Sequence, residues 1–245
     1  MKEEKIALIT GASRGIGRAT ALEFAKRGYY VIIHYKSNEQ SAKSVKQEII
    51  NQYHQDCMVY QADLEKEMEV KRMISYLYQR LGHIDVLVNN AAIALDTLFE
   101  DKTTENFRKT LEVNLVAPFL LAKEMGQRMY QQQSGKIINV SSTNGIDTFY
   151  PMSTDYDASK AGLISLTHNL AKQFAPYVNV NAVAPGWVKT DMNRELDHEF
   201  TFEELKKIFL GRFAEPEEIA KVIAFLASDD ASYIDGEIIR VDGGY

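Results

Sequence analysis

The sequence lacks most of what marks a secreted, membrane-spanning or nucleic-acid-binding chain. Its single cysteine, Cys57, excludes an intrachain disulfide. The longest apolar run, Leu115 to Ala122, contains Pro118 and falls far short of the ~20 residues that cross a bilayer. The opening MKEEKIALIT turns polar too soon for the apolar core of a signal peptide, so the expected compartment is the cytoplasm. A net charge of −6 and a pI near 5.5 leave no clustered lysine and arginine for a nucleic-acid surface. The five histidines are scattered with no H-x-x-x-H pair, so no metal site is expected. Nor is there an internal repeat or a linker rich in glycine, serine or proline, and residues 1–245 read as one domain.

Short apolar, β-rich runs alternate with longer helical patterns. Strands are expected at Ile6–Thr10, Tyr30–Tyr35, Cys57–Gln61, Val86–Val88, Lys136–Val140, Val178–Ala184 and Glu237–Val241. Helices are expected at Ile16–Arg27, Gln40–Tyr53, Glu67–Leu81, Glu105–Gln131, Tyr156–Phe174 and Pro216–Ala227. Strands that are apolar along their whole length, each followed by a helix, indicate a parallel sheet covered on both faces. The fold class is therefore α/β, a doubly wound Rossmann-type sheet of about seven strands. The charged stretch 189–212 reads as a loop with short helices, the expected substrate lid.

Two motifs carry chemistry. Thr10-Gly11-Ala12-Ser13-Arg14-Gly15-Ile16-Gly17 joins the first strand to the first helix, where glycines allow close backbone approach and the helix N-terminus attracts a pyrophosphate. Its spacing, G-x-x-x-G-x-G, differs from the usual dinucleotide fingerprint. Further on, Tyr156 and Lys160 stand four residues apart, on one face of a helix. An ammonium beside a phenol favours the phenolate and makes a proton shuttle, although a solvated helix face has the same spacing. Ser141 and Ser142 precede them; neighbours on a strand point to opposite faces, so only one can reach the site.

Together with Asn89-Asn90-Ala91, Asn114 and Pro185-Gly186, these motifs resemble, in order and spacing, the short-chain dehydrogenase/reductases, and most of all their 3-oxoacyl-acyl-carrier-protein reductase branch. The resemblance runs from Lys5 to Tyr245 and includes Ala184–Met192 and Ala224–Asp229. It implies that Tyr156 is the acid, that Ser142 rather than Ser141 bonds the substrate oxygen, that Lys160 holds the nicotinamide ribose, and that Asn114 orients a relay water. It further implies a nicotinamide dinucleotide against Gly11, Ser13, Arg14, Gly15, Ile16, Gly17, Asp63, Leu64, Asn90, Ala91, Pro185, Gly186, Val188 and Thr190. Tyr35 stands where NAD-preferring relatives carry an acid, and Lys36 follows it; with Arg14 these suggest two cations and no acid, hence NADPH.

Two departures stand out: Ala92 replaces the family's usual glycine, and one extra residue precedes Tyr156. Phe149, Tyr150, Met152, Trp187 and Met192 are expected to line an apolar substrate pocket. Relatives that dock acyl carrier protein place cations at the entrance, but here the chain has Met129–Ser134 and Ala175–Tyr177, without a basic residue in either. Carrier docking is thus expected to be weak. Apolar residues on several faces of the Glu105–Gln131 and Tyr156–Phe174 helices, packed against their copies in relatives, imply a homo-oligomer, most simply a tetramer. Three readings follow: a carrier-type carbonyl reductase, an oxidoreductase of a free small alcohol or ketone, and a nucleotide-binding regulator without chemistry.

Overall fold

A computed structural model of the chain describes residues 4–190 and 197–245. Seven parallel strands form one sheet in the order β3-β2-β1-β4-β5-β6-β7. They are β1 (Ile6–Ile9), β2 (Tyr30–Tyr35), β3 (Cys57–Gln61), β4 (Val86–Asn89), β5 (Gly135–Val140), β6 (Val178–Pro185) and β7 (Ile238–Val241). The helices are α1 (Gly15–Lys26), α2 (Glu39–Tyr53), α3 (Glu67–Leu81), α4 (Thr104–Leu111), α5 (Ala117–Gln132), α6 (Thr154–Phe174), α7 (His198–Lys207) and α8 (Pro216–Leu226).

Strand alternation divides the core in two. Ala7, Ile9, Val31 and Ile33 pack with Phe24 of α1, Val45 and Ile49 of α2, and Ile219 and Ile223 of α8. Ile6, Leu8 and Ile32 face the other way, onto Met73 and Leu77 of α3, Leu121 and Met125 of α5, and Phe174 of α6. Each central strand is apolar throughout because both of its faces meet a helical layer. The order reverses between β1 and β4, and the crevice at such a switch point is where open parallel sheets bind ligands.

The expected single helix Glu105–Gln131 is divided. A π-turn, Glu112–Val116, separates α4 from α5, with the Ala117 N–H reaching back to the Glu112 carbonyl. Pro118 supplies the reason: without an N–H it cannot donate to the Asn114 carbonyl four residues earlier. The expected lid stretch contains α7, capped by Asp197, whose carboxylate accepts from the N–H groups of Glu199 and Phe200. Among the described residues no helix is long and apolar enough to cross a membrane.

Candidate active site

A cleft of ≈ 540 Å³ opens at the carboxyl ends of the strands, and every cofactor contact implied by the resemblance lines it, from Gly11 through Tyr35, Lys36 and Asp63 to Thr190. The glycine spacing has a local cause. Gly11 and Gly15 have positive φ (64° and 54°). A Cβ on Gly17 would stand 2.3 Å from the Gly11 carbonyl oxygen and 2.5 Å from the Asn90 amide nitrogen. That amide donates to the carbonyls of Thr10 (2.8 Å) and Gly11 (3.2 Å), so the Asn-Asn-Ala turn after β4 fastens the glycine turn after β1. At the N-terminus of α1 the preceding Arg14 makes no side-chain cap, which leaves the first N–H groups of the helix for an anion.

His34, which sequence reasoning passed over, joins three segments. Its Nδ1 accepts from the Gly11 N–H (3.1 Å) and its Nε2 donates to the Ala62 carbonyl (3.0 Å), tying the glycine turn to the end of β3. Burial lowers its pKa to about 4, so the ring is neutral and its tautomer is set by these two bonds. The signal was a histidine inside an otherwise apolar strand.

Lys36 corrects the charge reading. It does line the cleft, yet its ammonium lies 3.0 Å from Asp63 and 2.5 Å from Glu65. Acids are therefore present at this end of the site, contributed by the segment after β3 rather than by β2. Arg14 is exposed and has no carboxylate partner among the described residues.

Tyr156, Lys160 and Ser142 meet at the opposite end of the cleft. Ser141 lines it too, but its hydroxyl is committed to the Lys160 carbonyl (3.0 Å), a backbone bond that Ser142 does not make. Ser142 is held by Asn144: its hydroxyl donates to Asn144 Oδ1 (3.2 Å) and accepts from the Asn144 N–H (3.2 Å), while the Asn144 amide donates to Asp157 (2.7 Å). Lys160 is buried, donates to the Val140 carbonyl (2.8 Å) and lies 5.4 Å from the centre of the Tyr156 ring.

The phenolate is not favoured here as the spacing suggested. Burial pushes the phenol of Tyr156 up to about 12, with the Ser142 hydroxyl opposing the rise and Asp157 and Asp96 adding to it. Burial also lowers the Lys160 ammonium to about 7. Its hydrogen bond is spent on a backbone carbonyl rather than on the phenol oxygen. The resting site thus holds a neutral acid, the form that can give up a proton.

Asn114 does not line the cleft. Its side chain accepts from the Ile93 N–H (2.9 Å) and donates to the Ile93 carbonyl (2.9 Å) and to Ser159 (3.1 Å), so it acts as a clamp between the π-turn, the segment after β4 and α6. Sequence reasoning also missed Asp155, buried just before Tyr156. It pairs with Lys102 (2.8 Å) and accepts from Thr110 (2.6 Å), and these bonds hold its carboxyl below the usual range although burial opposes them.

The expected substrate residues divide. Phe149 is 78% exposed and does not line the cleft. Tyr150 and Trp187 also stand outside the lining but both meet Phe200 of α7, at 5.9 and 5.7 Å between ring centres. Trp187 stacks on Phe213 (5.6 Å) and donates from its indole to buried Glu204 (3.0 Å). Met152 is half-buried, its sulfur taking the Tyr150 hydroxyl (3.6 Å). Met192 falls outside the described residues.

The short-chain dehydrogenase/reductase model described as "Enoyl-(Acyl carrier protein) reductase" matches residues 11–245. The chain belongs to that family. As a short-chain dehydrogenase/reductase it is an oxidoreductase rather than a nucleotide sensor that kept only the fold. Among its relatives, the 3-oxoacyl-[acyl-carrier-protein] reductase FabG of Aquifex aeolicus is 42% identical over 241 residues, which cover 98% of this chain and 96% of that one. The protein of the same description from Staphylococcus aureus (strain Mu50) is 41% identical over 245 residues, covering 100% and 99%. Two solved members of the family superpose closely. Acetoin dehydrogenase YohF from Salmonella typhimurium gives a TM-score of 0.89 at 34% identity, with 99% and 96% covered. Levodione reductase gives 0.92 at 31%, with 98% and 96% covered.

Proposed function

We propose that the chain is an NADPH-dependent carbonyl reductase of the 3-oxoacyl thioester type, with Tyr156 as proton donor. The observation that carries this is a single cleft joining the glycine cradle at one end to the Ser142, Tyr156 and Lys160 cluster at the other. The cradle fits a dinucleotide: glycines that admit backbone alone, free N–H groups at the start of α1, and Arg14 and Lys36 at the ribose end. A bound nicotinamide would supply the hydride. The residues of the chain supply the rest. Two hydroxyl-bearing side chains, Ser142 and Tyr156, line the same cleft, an arrangement suited to a carbonyl becoming an alcohol rather than to a carbon–carbon double bond. Ser142 holds the carbonyl oxygen; Tyr156, kept protonated by its high pKa, donates to it as negative charge develops. Lys160, poised near neutrality, can restore the phenol's proton and hold the ribose hydroxyls.

Homology to the FabG proteins supports a 3-oxoacyl thioester, and the missing cations at Met129–Ser134 and Ala175–Tyr177 argue for weak dependence on the carrier. The test compares kcat/KM for acetoacetyl-carrier and acetoacetyl-CoA with NADPH at low and high salt. Both should turn over with little carrier advantage. A large, salt-sensitive advantage would overturn the surface reading, and no turnover of either would overturn the thioester. A free small ketone or diol is the second reading, favoured by the aromatic contacts of Tyr150, Phe200 and Trp187 and by the names of the two structural neighbours. A homo-oligomer is proposed as well, supported by Val116 and Phe119, which leave 42% and 46% of their surface exposed along α5 and the turn before it.

A further inference from the structure

We propose that Glu65 is a specificity-determining residue that restrains Lys36 and so weakens the preference for a 2′-phosphorylated dinucleotide; the inference rests on the dinucleotide reading of the cleft. Lys36 is the cation just after β2 that lines the cleft, and Gln61 fixes its backbone carbonyl (3.0 Å). Its ammonium has three hydrogens, and two are directed at carboxylates, Asp63 at 3.0 Å and Glu65 at 2.5 Å.

The two acids are not equivalent. Asp63 lines the cleft and is held in place, accepting from the Glu65 N–H (3.1 Å) while its own N–H donates to Glu69 (2.8 Å). Glu65 does not line the cleft, and among the described residues its carboxylate meets only cations: Lys36 and, at 3.8 Å, Lys109. Removing its charge therefore takes one carboxylate from Lys36, with Asp63 still paired to it, without removing a wall of the site.

A phosphate oxygen bonded to the remaining hydrogen of Lys36 would stand within about 5 Å of the Glu65 carboxylate, given ordinary hydrogen-bond lengths. Like charges at that distance repel even in water, by enough to weaken binding roughly five- to tenfold for a near-dianionic phosphate. A plain ribose hydroxyl at the same place feels almost none of this. Glu65 thus acts on one dinucleotide and spares the other, which is what a specificity residue must do.

The test is calorimetric binding of 2′,5′-ADP and of 5′-ADP to the full chain, with Glu65→Gln and Glu65→Asp beside the wild type, at low and high salt. Glu65→Gln should tighten 2′,5′-ADP roughly five- to tenfold at low salt, less at high salt, and leave 5′-ADP unchanged. Glu65→Asp, which restores the charge, should return toward the wild type. Equal changes for both nucleotides, no change in either, or weaker 2′,5′-ADP binding would each overturn the proposal, the last by showing that Glu65 orients Lys36 productively. If the wild type bound neither nucleotide, the dinucleotide reading itself would fall, and this inference with it.

Discussion

Replacing Lys102 by methionine should destabilise the chain by about 3 kcal/mol. Lys102 and Asp155 keep only 5% and 0% of their side-chain surface exposed. Methionine fills the volume but leaves the Asp155 carboxylate with Thr110 as its remaining side-chain donor, and removes the donor to the Leu95 carbonyl. Breaking one partner out of a buried pair generally costs about 3–5 kcal/mol. Thr110 keeps its bond to the carboxylate (2.6 Å), which places the expectation at the lower end. The double variant Lys102→Met with Asp155→Asn removes the stranded charge and keeps an acceptor for Thr110, so it should recover most of the loss. The assay is urea unfolding at pH 7, followed by the fluorescence of Trp187, the chain's one tryptophan. Because the Asp155 carboxyl is held below its ordinary value, the pair's contribution is full above about pH 4 and fades on further acidification, which should narrow the gap between wild type and single variant. A single variant within about 1 kcal/mol of wild type, or a double variant no better than the single, would refute the reasoning.

Gly17→Ala should lose dinucleotide binding by roughly tenfold or more, because its methyl would collide with the Gly11 carbonyl at 2.3 Å; wild-type affinity by calorimetry would contradict this. His34 gives a pH signature. Its folded pKa of about 4 lies below the unfolded value of about 6.5, so its contribution is full above about pH 6.5 and lost as pH falls toward 4, about 3 kcal/mol in all. Unfolding midpoints at pH 7 and pH 4.5 should therefore converge in His34→Gln relative to wild type, and parallel curves would count against it.

The fold was legible in the sequence because parallel strands buried on both faces read as unbroken apolar runs, and β2 and β3 have the expected limits, Tyr30–Tyr35 and Cys57–Gln61. The cleft-lining residues were legible because they sit at strand ends, where topology alone brings them together. What escaped depended on contacts across the fold. The break at Glu112–Val116 follows from Pro118, but an apolar periodic run conceals it. The pairing of Lys36 with Asp63 and Glu65 joins the ends of two strands that no local pattern links, so the sequence displayed the cation and concealed its partners. Asn114 drew attention as a polar residue among apolar ones, yet only its bonds to Ile93 and Ser159 show that its amide serves as a clamp. The pairing of Lys102 with Asp155 spans 53 residues and has no local signature.

The central claim is that Tyr156 delivers the proton to a carbonyl oxygen while the cradle independently holds the dinucleotide. The most direct measurement is Tyr156→Phe, with kcat for acetoacetyl-CoA reduction and the calorimetric Kd for NADPH determined on the same preparation. Loss of the hydroxyl should lower kcat by about 10²–10⁴, the usual worth of a general acid, and leave Kd nearly unchanged because the ring remains. A variant that kept more than about a hundredth of wild-type kcat would contradict the assignment of the acid.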